Sequence, residues 1–217
     1  MRDSYQLFSY LHSLHLLDHS PSWWWPNHGD FEVVISAILT QNTRWENVQK
    51  SLQNLQNSKI FTPHQNEKNL QNLAQCTPEF LASLIYPSGF ANQKAKRLIL
   101  LAQNILHTYD SYAMFQNNAD SQWLLDQKGI GRETRDAILN YACLQSVMVV
   151  DQYTYKLLCL YGYEIQEYDE IQEWITRGVI ESLDKIQSLY SWNISLAQIY
   201  ARFHGKIVEF AKKGFKA

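Results

Sequence analysis

Near the middle of the chain the sequence reads Leu124-Leu125-Asp126-Gln127-Lys128-Gly129-Ile130-Gly131-Arg132-Glu133-Thr134. Two glycines flank one apolar residue between segments of helical periodicity. Because Gly129 and Gly131 have no Cβ, both can adopt φ > 0, and we expect a tight hairpin there. Backbone N–H groups at the start of the next helix form an anion site, which the helix dipole reinforces. A Gly-x-Gly triplet is more often an ordinary turn, so this interpretation needs support from other parts of the chain.

The sequence Val149-Val150-Asp151 follows the second helix of this hairpin. Its apolar residues predict a buried backbone that ends in one carboxylate. Two interpretations of Asp151 are open: it caps the helix that begins at Gln152, which is the commoner role of Asp at such a position, or it has a chemical role. An anion site and a single acid at a fixed distance from it favour chemistry on a nucleic acid.

The composition favours regular helices and a reducing environment. The chain has 217 residues, enough for one large core or two smaller lobes, and only 8 Gly and 5 Pro. Cys76, Cys143 and Cys159 form no C-x-x-C pair, so we expect no metal site and no iron–sulfur cluster. No stretch has the roughly 20 apolar residues of a membrane span, and we expect a cytoplasmic protein that does not contact membranes.

The net charge of −2 does not indicate a polyanionic partner, but basic residues cluster locally at 94–97, 128–135 and 212–216. The first and last clusters are interpreted as solvated faces, because most charge runs are. The middle cluster lies beside the two glycines and predicts DNA binding that weakens steeply with salt.

Apolar periodicity predicts helices along nearly the whole chain, so the expected fold class is all-α. Asp3 and Asp30 are predicted N-caps of the first two helices, and Thr77 followed by Pro78 marks the start of another. Other helices are predicted over 45–55, after Gly89, and over 120–127, 132–145, 151–161, 168–182 and 194–213. The first helix is expected to end near residue 17, and the apolar run 147–150 is interpreted as a buried linker.

Three stretches together resemble the helix-hairpin-helix superfamily of DNA glycosylases, of which endonuclease III is the best-known member. They are Leu39-Thr40-Gln41-Asn42-Thr43, the hairpin 128–134, and 149–151 with the helix that follows. The resemblance implies a middle helical barrel domain over residues 29–137. It also implies a second helical lobe built from residues 1–28 and 138–217, with the hairpin and Asp151 at the cleft between the two lobes.

The chain departs from the family pattern at positions that affect its chemistry. Lyase members have a lysine immediately before the hairpin threonine, which forms a Schiff base with the sugar. Glu133 occupies that position, and since a carboxylate forms no imine, we expect an enzyme that leaves the strand intact. The C-terminal four-cysteine motif of many relatives is absent. Lys128 replaces the usual proline and adds a cation near the phosphate.

Two further segments resemble the bacterial 3-methyladenine DNA glycosylases of the endonuclease III type: Trp23-Trp24-Trp25-Pro26 and Ala201-Arg202-Phe203-His204-Gly205-Lys206. Such an enzyme flips the damaged base out of the duplex, and the resemblance implies that Gln41 fills the vacated space. Trp24 or Trp25, directed by Pro26, and Trp45 are candidates to stack on a cationic base, whereas Trp23 is expected in the core. The residues implied to bind DNA are Gln41, Lys128, Gly129, Gly131, Arg132 and Thr134.

Asp151 is the predicted catalytic residue, because its charge stabilises an oxocarbenium-like sugar and orients a water. Lys206 lies on the apolar arc of the last predicted helix, where burial lowers the pKa of an amine. Its neutral form can react with CO₂ to give a carbamate, an anion near the cationic lesion. His204 is expected to be a hydrogen-bonded helix residue. The resemblance also implies a monovalent cation at the carbonyl edge of the hairpin.

The leading hypothesis is a monofunctional glycosylase of base excision repair that acts as a monomer on double-stranded DNA and removes 3-methyladenine. Two alternatives stay open: a glycosylase for another damaged base, such as an oxidised pyrimidine, and a DNA-binding protein without catalysis. The missing hairpin lysine and the aromatic-rich termini argue against the first, and Asp151 argues against the second.

Overall fold

The structure is a computed structural model that describes residues 3–216. Helices are the only regular elements within this range, which confirms the all-α fold. In chain order they are α1 (Ser4–Ser13), α2 (Phe31–Leu39), α3 (Trp45–Asn57), α4 (Asn66–Ala74), α5 (Pro78–Leu84), α6 (Ala91–Tyr109), α7 (Tyr112–Asn118), α8 (Ser121–Leu125), α9 (Arg132–Ala137), α10 (Gln152–Leu160), α11 (Tyr168–Glu181), α12 (Leu183–Gln187) and α13 (Leu196–Lys212). A 3₁₀ turn over Tyr86–Ser88 precedes α6, and α9 continues into a π-helical turn over Ile138–Ala142.

The chain divides into two compact units. The middle unit is Asn27–Cys143 and contains α2–α9. The terminal unit combines the described residues up to Pro26 with those from Leu144 onward, and it contains α1 and α10–α13. The predicted domain boundaries after residues 28 and 137, and the predicted cleft, stay predictions.

Side chains cap two helices where the sequence predicts it. Asp3 accepts a hydrogen bond from the N–H of Gln6 at 2.8 Å, and Thr77 accepts one from the N–H of Phe80 at 3.3 Å. Each cap satisfies a donor that has no partner within its helix. Helix α1 ends at Ser13, earlier than predicted.

Asp30 stands at the N-cap of α2, but its carboxylate does not cap the helix. One oxygen lies 2.8 Å from Nδ1 of His64, and the other accepts from Nδ2 of Asn66 at 3.1 Å. The amide oxygen of Asn66 accepts the N–H of Phe31 in its place, at 2.8 Å. The predicted side-chain cap is therefore wrong, because long-range partners compete for the same carboxylate.

Three helices have no counterpart in the sequence-based prediction: α4, α7 and the five-residue α12. Helix α4 is rich in Asn and Gln, and α7 has only 7 residues, so neither gives a clear apolar period. The helix predicted over 132–145 changes to π-helical geometry and ends with Ala142. The predicted linker 147–150 forms no strand, and its last three residues are buried.

Helix α6 holds the loop after α2 through a buried lysine. Lys94 is 2% exposed and donates to the backbone oxygens of Leu39 and Ser88 at 2.8 Å and to Oγ1 of Thr43 at 2.9 Å. Burial and the nearby charge of Arg97 lower the pKa of Lys94 to about 8. The interpretation of this basic cluster as a solvated face is wrong for Lys94, which fixes the loop that carries Gln41.

The terminal unit has its own apolar core around α13. This helix packs against α10 and α1, and α1 packs against α11. The core includes Leu7, Phe8, Leu11, Ile175, Phe203, Ile207 and Phe210. Trp23 is also buried, at 8% exposure, as predicted. None of the helices within residues 3–216 has both the length and the apolar character to cross a membrane.

Candidate functional site

The hairpin between α8 and α9 uses its two glycines differently. Gly129 has a φ of +83°, whereas Gly131 is extended, with a φ of −97°, as the N-cap of α9. The left-handed freedom allowed by the sequence is therefore used at Gly129 alone. Ile130 between them is 7% exposed, so the tip of the hairpin is anchored in the core. Lys128 and Arg132 are exposed on either side.

Gln41, in the loop after α2, lies on this hairpin. Its Nε2 donates to the backbone oxygen of Gly129 and to Oγ1 of Thr134, both at 3.0 Å. Its Oε1 accepts from Nη1 of Arg97 at 3.1 Å. Three of the residues predicted to bind DNA, Gln41, Gly129 and Thr134, are thus joined to one another within the middle unit.

Glu133, at the position of the lyase lysine, is exposed in the first turn of α9. A carboxylate there interacts favourably with the helix dipole, by about 0.3–1 kcal/mol. Glu133 therefore stabilises the N-terminus of α9.

The carboxylate of Asp151, in the terminal unit, divides its two oxygens between two partners. Oδ1 accepts from the N–H of Thr154 at 2.7 Å and from its hydroxyl at 2.8 Å, which forms a capping box on α10. Oδ2 lies 3.4 Å from Nε2 of His204 on α13. The N-cap interpretation of Asp151 is confirmed, and it uses only one of the two oxygens.

The environment of Asp151 favours its ionised form. Burial by itself raises the pKa of this carboxyl group, since its side chain is only 10% exposed. The hydrogen bond and the electrostatic interaction with His204, together with the two hydrogen bonds from Thr154, outweigh burial and lower the pKa of Asp151 below its ordinary value. The group is therefore negatively charged at neutral pH.

Trp24 links the tryptophan segment to this acid through His204. The two rings meet edge to face, with centroids 5.3 Å apart, and the indole Nε1 donates to Oε1 of Glu209 at 3.2 Å. Trp25 stands perpendicular to Trp24, with centroids 6.0 Å apart, and is 8% exposed. Pro26, which follows, is exposed.

Gly205, inside α13, lets Trp24 approach the helix closely. A Cβ at this position would lie 2.6 Å from Cδ2 and 2.9 Å from Cβ of Trp24. Glycine inside a helix costs about 1 kcal/mol relative to alanine. The close contact with the indole accounts for glycine at this position.

Lys206 is 2% exposed in the terminal unit. Its Nζ donates to the hydroxyl of Tyr190 at 3.0 Å and lies 5.1 Å from the ring centroid of Phe8. Burial, and then the charge of Arg202, lower the pKa of Lys206 to about 7, although Asp18 acts in the opposite direction. A substantial fraction of this amine is therefore neutral near pH 7.

Trp45 is the first residue of α3 and is half-buried in the middle unit. Trp24, Trp25 and Lys206 belong to the terminal unit. The stacking of one base between Trp45 and the N-terminal tryptophans stays a prediction.

Residues 35–178 match the HhH-GPD superfamily of base excision DNA repair proteins. The chain belongs to this superfamily. The resemblance inferred from the hairpin is thereby confirmed, and the HhH-GPD chain is a DNA glycosylase of base excision repair.

Several known proteins are similar over most of the HhH-GPD chain. A crystal structure of H. pylori 3-methyladenine DNA glycosylase (MagIII) bound to 1,N6-ethenoadenine matches with a TM-score of 0.97 and 51% identity, covering 99% of this chain and 100% of that one. A Methanocaldococcus jannaschii protein, described as a candidate DNA repair glycosylase, is 34% identical over 88% of this chain and 80% of its own length. Endonuclease III of Thermotoga maritima is 26% identical over 84% of this chain and 73% of its own length.

The cysteines of this HhH-GPD protein do not fit a four-cysteine cluster. The chain has three cysteines. Cys143 is buried in the middle unit, where burial raises its pKa to about 12, and Cys159 is exposed in the terminal unit. Within residues 3–216, no three His, Cys, Asp or Glu side chains are grouped so that they could hold a metal ion.

Two contacts in the HhH-GPD structure were not predicted from the sequence. The pairing of His204 with Asp151 has no local signal, because the two residues are far apart in the chain. The contact of Arg97 with Gln41 has a weak one: Arg97 follows Lys94 by three residues, so both lie on one face of α6.

Replacement of Gly205 by alanine is expected to destabilise the protein. Helix propensity alone favours alanine, but the added methyl group collides with Trp24. We expect a lower thermal midpoint for Gly205→Ala in the parent and an equal or higher one in a Trp24→Ala background, where the collision is absent. Destabilisation of the same size in both backgrounds would show that Trp24 is not the cause.

Lys206 is expected to make stability depend on pH. Its pKa is about 7 in the folded protein and about 10.4 when unfolded, so the unfolded chain binds more protons between these values. The free energy of unfolding of the parent, minus that of Lys206→Met, should rise from about pH 7 to pH 9. Urea titrations in CO₂-depleted buffer test this, with Lys213→Met as the control for loss of a surface charge. A difference that does not change with pH contradicts the lowered pKa.

Proposed function

We propose that this protein is a monofunctional DNA glycosylase that excises 3-methyladenine, and related cationic alkylpurines, from double-stranded DNA. The observation that carries the proposal is the arrangement of Asp151, His204 and Trp24, in which an ionised acid is joined to an indole through one imidazole. The similarity to the H. pylori 3-methyladenine glycosylase supports the choice of lesion. We propose that it acts as a monomer.

The cationic base is the reason that one acid suffices. An N3-methylated adenine is positively charged while attached to the sugar, so it leaves without protonation. Water adds to C1′ as the N-glycosidic bond breaks, the bonding pair leaves with the base and neutralises it, and one water proton passes to Asp151 or to solvent. The Asp151 carboxylate stabilises the oxocarbenium-like sugar and orients that water.

The tryptophans supply selectivity for positive charge. Stacking of a base on an aromatic ring contributes about 1–3 kcal/mol, and a cation over an indole adds about 0.5–2 kcal/mol. In our proposal Trp24 or Trp25, directed by Pro26, and Trp45 stack on the extruded base. The edge-on contact with His204 and the hydrogen bond to Glu209 hold the Trp24 ring in one orientation, which lowers the entropy lost on binding.

The hairpin binds the DNA backbone in this proposal. Backbone amides around Gly129 and Gly131 hold a phosphate, and Lys128 and Arg132 add positive charge from exposed positions. Thr134 supports the hairpin through its contact with Gln41, and Gln41 fills the space that the flipped base leaves. A monovalent cation on the hairpin carbonyls assists the phosphate.

Glu133 makes the enzyme monofunctional in this proposal. Strand cleavage by the lyase route needs an amine that forms an imine with C1′ of the sugar, and a carboxylate forms none. The product is therefore an intact strand with an abasic site.

We also propose that Lys206 carries a carbamate. Its neutral amine attacks CO₂, an N–C bond forms, one C–O π pair moves to oxygen, and a proton passes to solvent. In this proposal the carbamate is an anion that attracts the cationic base. ¹³C NMR in ¹³C-bicarbonate should show a carbamate carbon that is absent from Lys206→Met. A spectrum without that signal in the parent excludes the modification.

The lesion is tested by incubating the protein with methylated duplex DNA and, separately, with a duplex that contains an oxidised pyrimidine. Chromatography of the freed bases should show 3-methyladenine from the first and no base from the second. Strands should break only after alkali is added, and borohydride should trap no protein on DNA. Release of the oxidised pyrimidine alone, or strand breaks without alkali, contradicts the proposal.

Asp151→Asn isolates the charge from the cap. Asparagine caps a helix as well as aspartate does, so α10 should be kept while the negative charge is lost. We expect unchanged binding of undamaged duplex and at least a 10²-fold lower single-turnover rate of base release. Asp3→Asn is the matched control, since Asp3 caps α1 with one oxygen in the same way. Equal single-turnover rates in Asp151→Asn and the parent would remove Asp151 from the mechanism.

A further inference from the structure

Every hydrogen-bonding group of the Gln41 side-chain amide has a partner on the protein. The two N–H groups donate to Gly129 and Thr134, and the oxygen accepts from Arg97, all at 3.0–3.1 Å. The orientation of the amide is unambiguous, because the Gly129 carbonyl can only accept and the guanidinium can only donate. Gln41 is therefore folded onto the hairpin.

This conformation does not suit a residue that fills a gap in a base stack. To enter a duplex, the amide of Gln41 must leave the hairpin and break all three hydrogen bonds. Each such bond stabilises the folded-back side chain, and the bond to the charged guanidinium does so most. The departure is favourable only if the groups left behind, on Gly129, Thr134 and Arg97, obtain new partners.

The groups that Gln41 would release match the chemistry of the DNA backbone. A guanidinium is the side chain best suited to grip a phosphate with two parallel hydrogen bonds. Arg97 is also already at the hairpin: a Cβ added to Gly129 would lie 2.6 Å from both Cδ and Cζ of Arg97. The side chain of Arg97 thus lies against Gly129, in the hairpin that is proposed to bind a phosphate.

Arg97 is not needed to hold the loop that carries Gln41. Lys94 does so from one turn earlier on α6, with bonds to Leu39 and Thr43 on both sides of Gln41. Arg97 donates to the amide of Gln41, lies against Gly129 and is half-buried, whereas Lys94 is 2% exposed. A structural role alone therefore leaves the presence of a second cation on this face of α6 unexplained.

We propose that Arg97 is a further ligand of the DNA backbone, and that Gln41 occupies it until DNA binds. The amide of Gln41 and the phosphate compete for the same guanidinium, so binding of the backbone releases the side chain that enters the duplex. The proposal rests on the proposed function, from which the role of Gln41 is taken. It adds Arg97 to the DNA-binding residues. It also implies that the contact between Gln41 and Arg97 weakens DNA binding by the free protein.

If Gln41 competes with DNA for Arg97, the apparent affinity for DNA is the intrinsic affinity multiplied by the fraction of molecules in which Arg97 is not bound to Gln41. Removal of the Gln41 amide should therefore tighten binding to undamaged DNA. Fluorescence anisotropy with a labelled undamaged duplex, at several salt concentrations, measures this for the parent, Gln41→Ala, Arg97→Met and the double variant. We expect about fivefold tighter binding for Gln41→Ala, whereas a role restricted to filling the base stack gives unchanged or weaker binding.

Arg97→Met should reduce the magnitude of the slope of log K against log salt concentration by about 0.9, the value expected for the loss of one phosphate contact. Arg97→Met should also abolish most of the increase in DNA affinity caused by Gln41→Ala, because the guanidinium for which Gln41 and the phosphate compete is absent. Lys96→Met removes the same charge from an exposed neighbour on α6, and the gain from Gln41→Ala should persist in that background. Arg97→Gln, also uncharged, replaces Arg97→Met if the latter unfolds below the assay temperature.

Three results would each overturn the proposal: no tightening in Gln41→Ala, an unchanged salt slope in Arg97→Met, or a gain that is lost equally in the Lys96→Met background. None of these measurements uses base release. If methylated DNA proves not to be a substrate while the binding results are as expected, the choice of lesion fails and the competition for Arg97 stands.

Discussion

The carboxylate of Asp151 is the group that joins the start of α10 to α13 in the terminal unit. Its Oδ1 closes the capping box of α10, which fixes the side chain to the first turn of the helix. Its Oδ2 lies 3.4 Å from Nε2 of His204, and this interaction lowers the pKa of the carboxyl group despite burial. Because one oxygen is used by the fold and the other is left toward α13, the structural and the chemical interpretations of Asp151 are compatible, and the cap explains how a short side chain is held at a fixed angle.

In the middle unit, too, a buried polar side chain fixes a segment of backbone. Lys94 donates to the backbone oxygen of Leu39 at the end of α2 and to the hydroxyl of Thr43 in the loop that follows. These bonds position the backbone of Gln41 without any contribution from the Gln41 side chain. The Gln41 side chain then binds the backbone oxygen of Gly129 and the guanidinium of Arg97. The backbone of this loop is thus held by Lys94, independently of the Gln41 side chain.

Much of this could be predicted from the sequence, but only where the signal is local. Most of the helices, the hairpin, the caps at Asp3 and Thr77, and the family follow from periodicity and short motifs. Local rules fail at Asp30 and Lys94 because the partners of both residues lie far along the chain. His64 takes a carboxylate oxygen that the local rule assigns to a cap, and the Lys94 amine is buried because it donates to backbone carbonyls. The contact between His204 and Asp151 could not be predicted for the same reason, since it joins two helices that no spacing rule relates.

The left-handed backbone of Trp24, with a φ of +67°, limits which residues can replace this tryptophan. A side chain with a Cβ costs about 1–2 kcal/mol in that region, and branching at Cβ raises the cost. Exchange of the ring at this position is therefore constrained by the main chain before any ligand is considered, and Gly or Asn is favoured over Val or Ile. Trp45 begins α3 in ordinary helical geometry, so replacement of that indole meets no such backbone penalty.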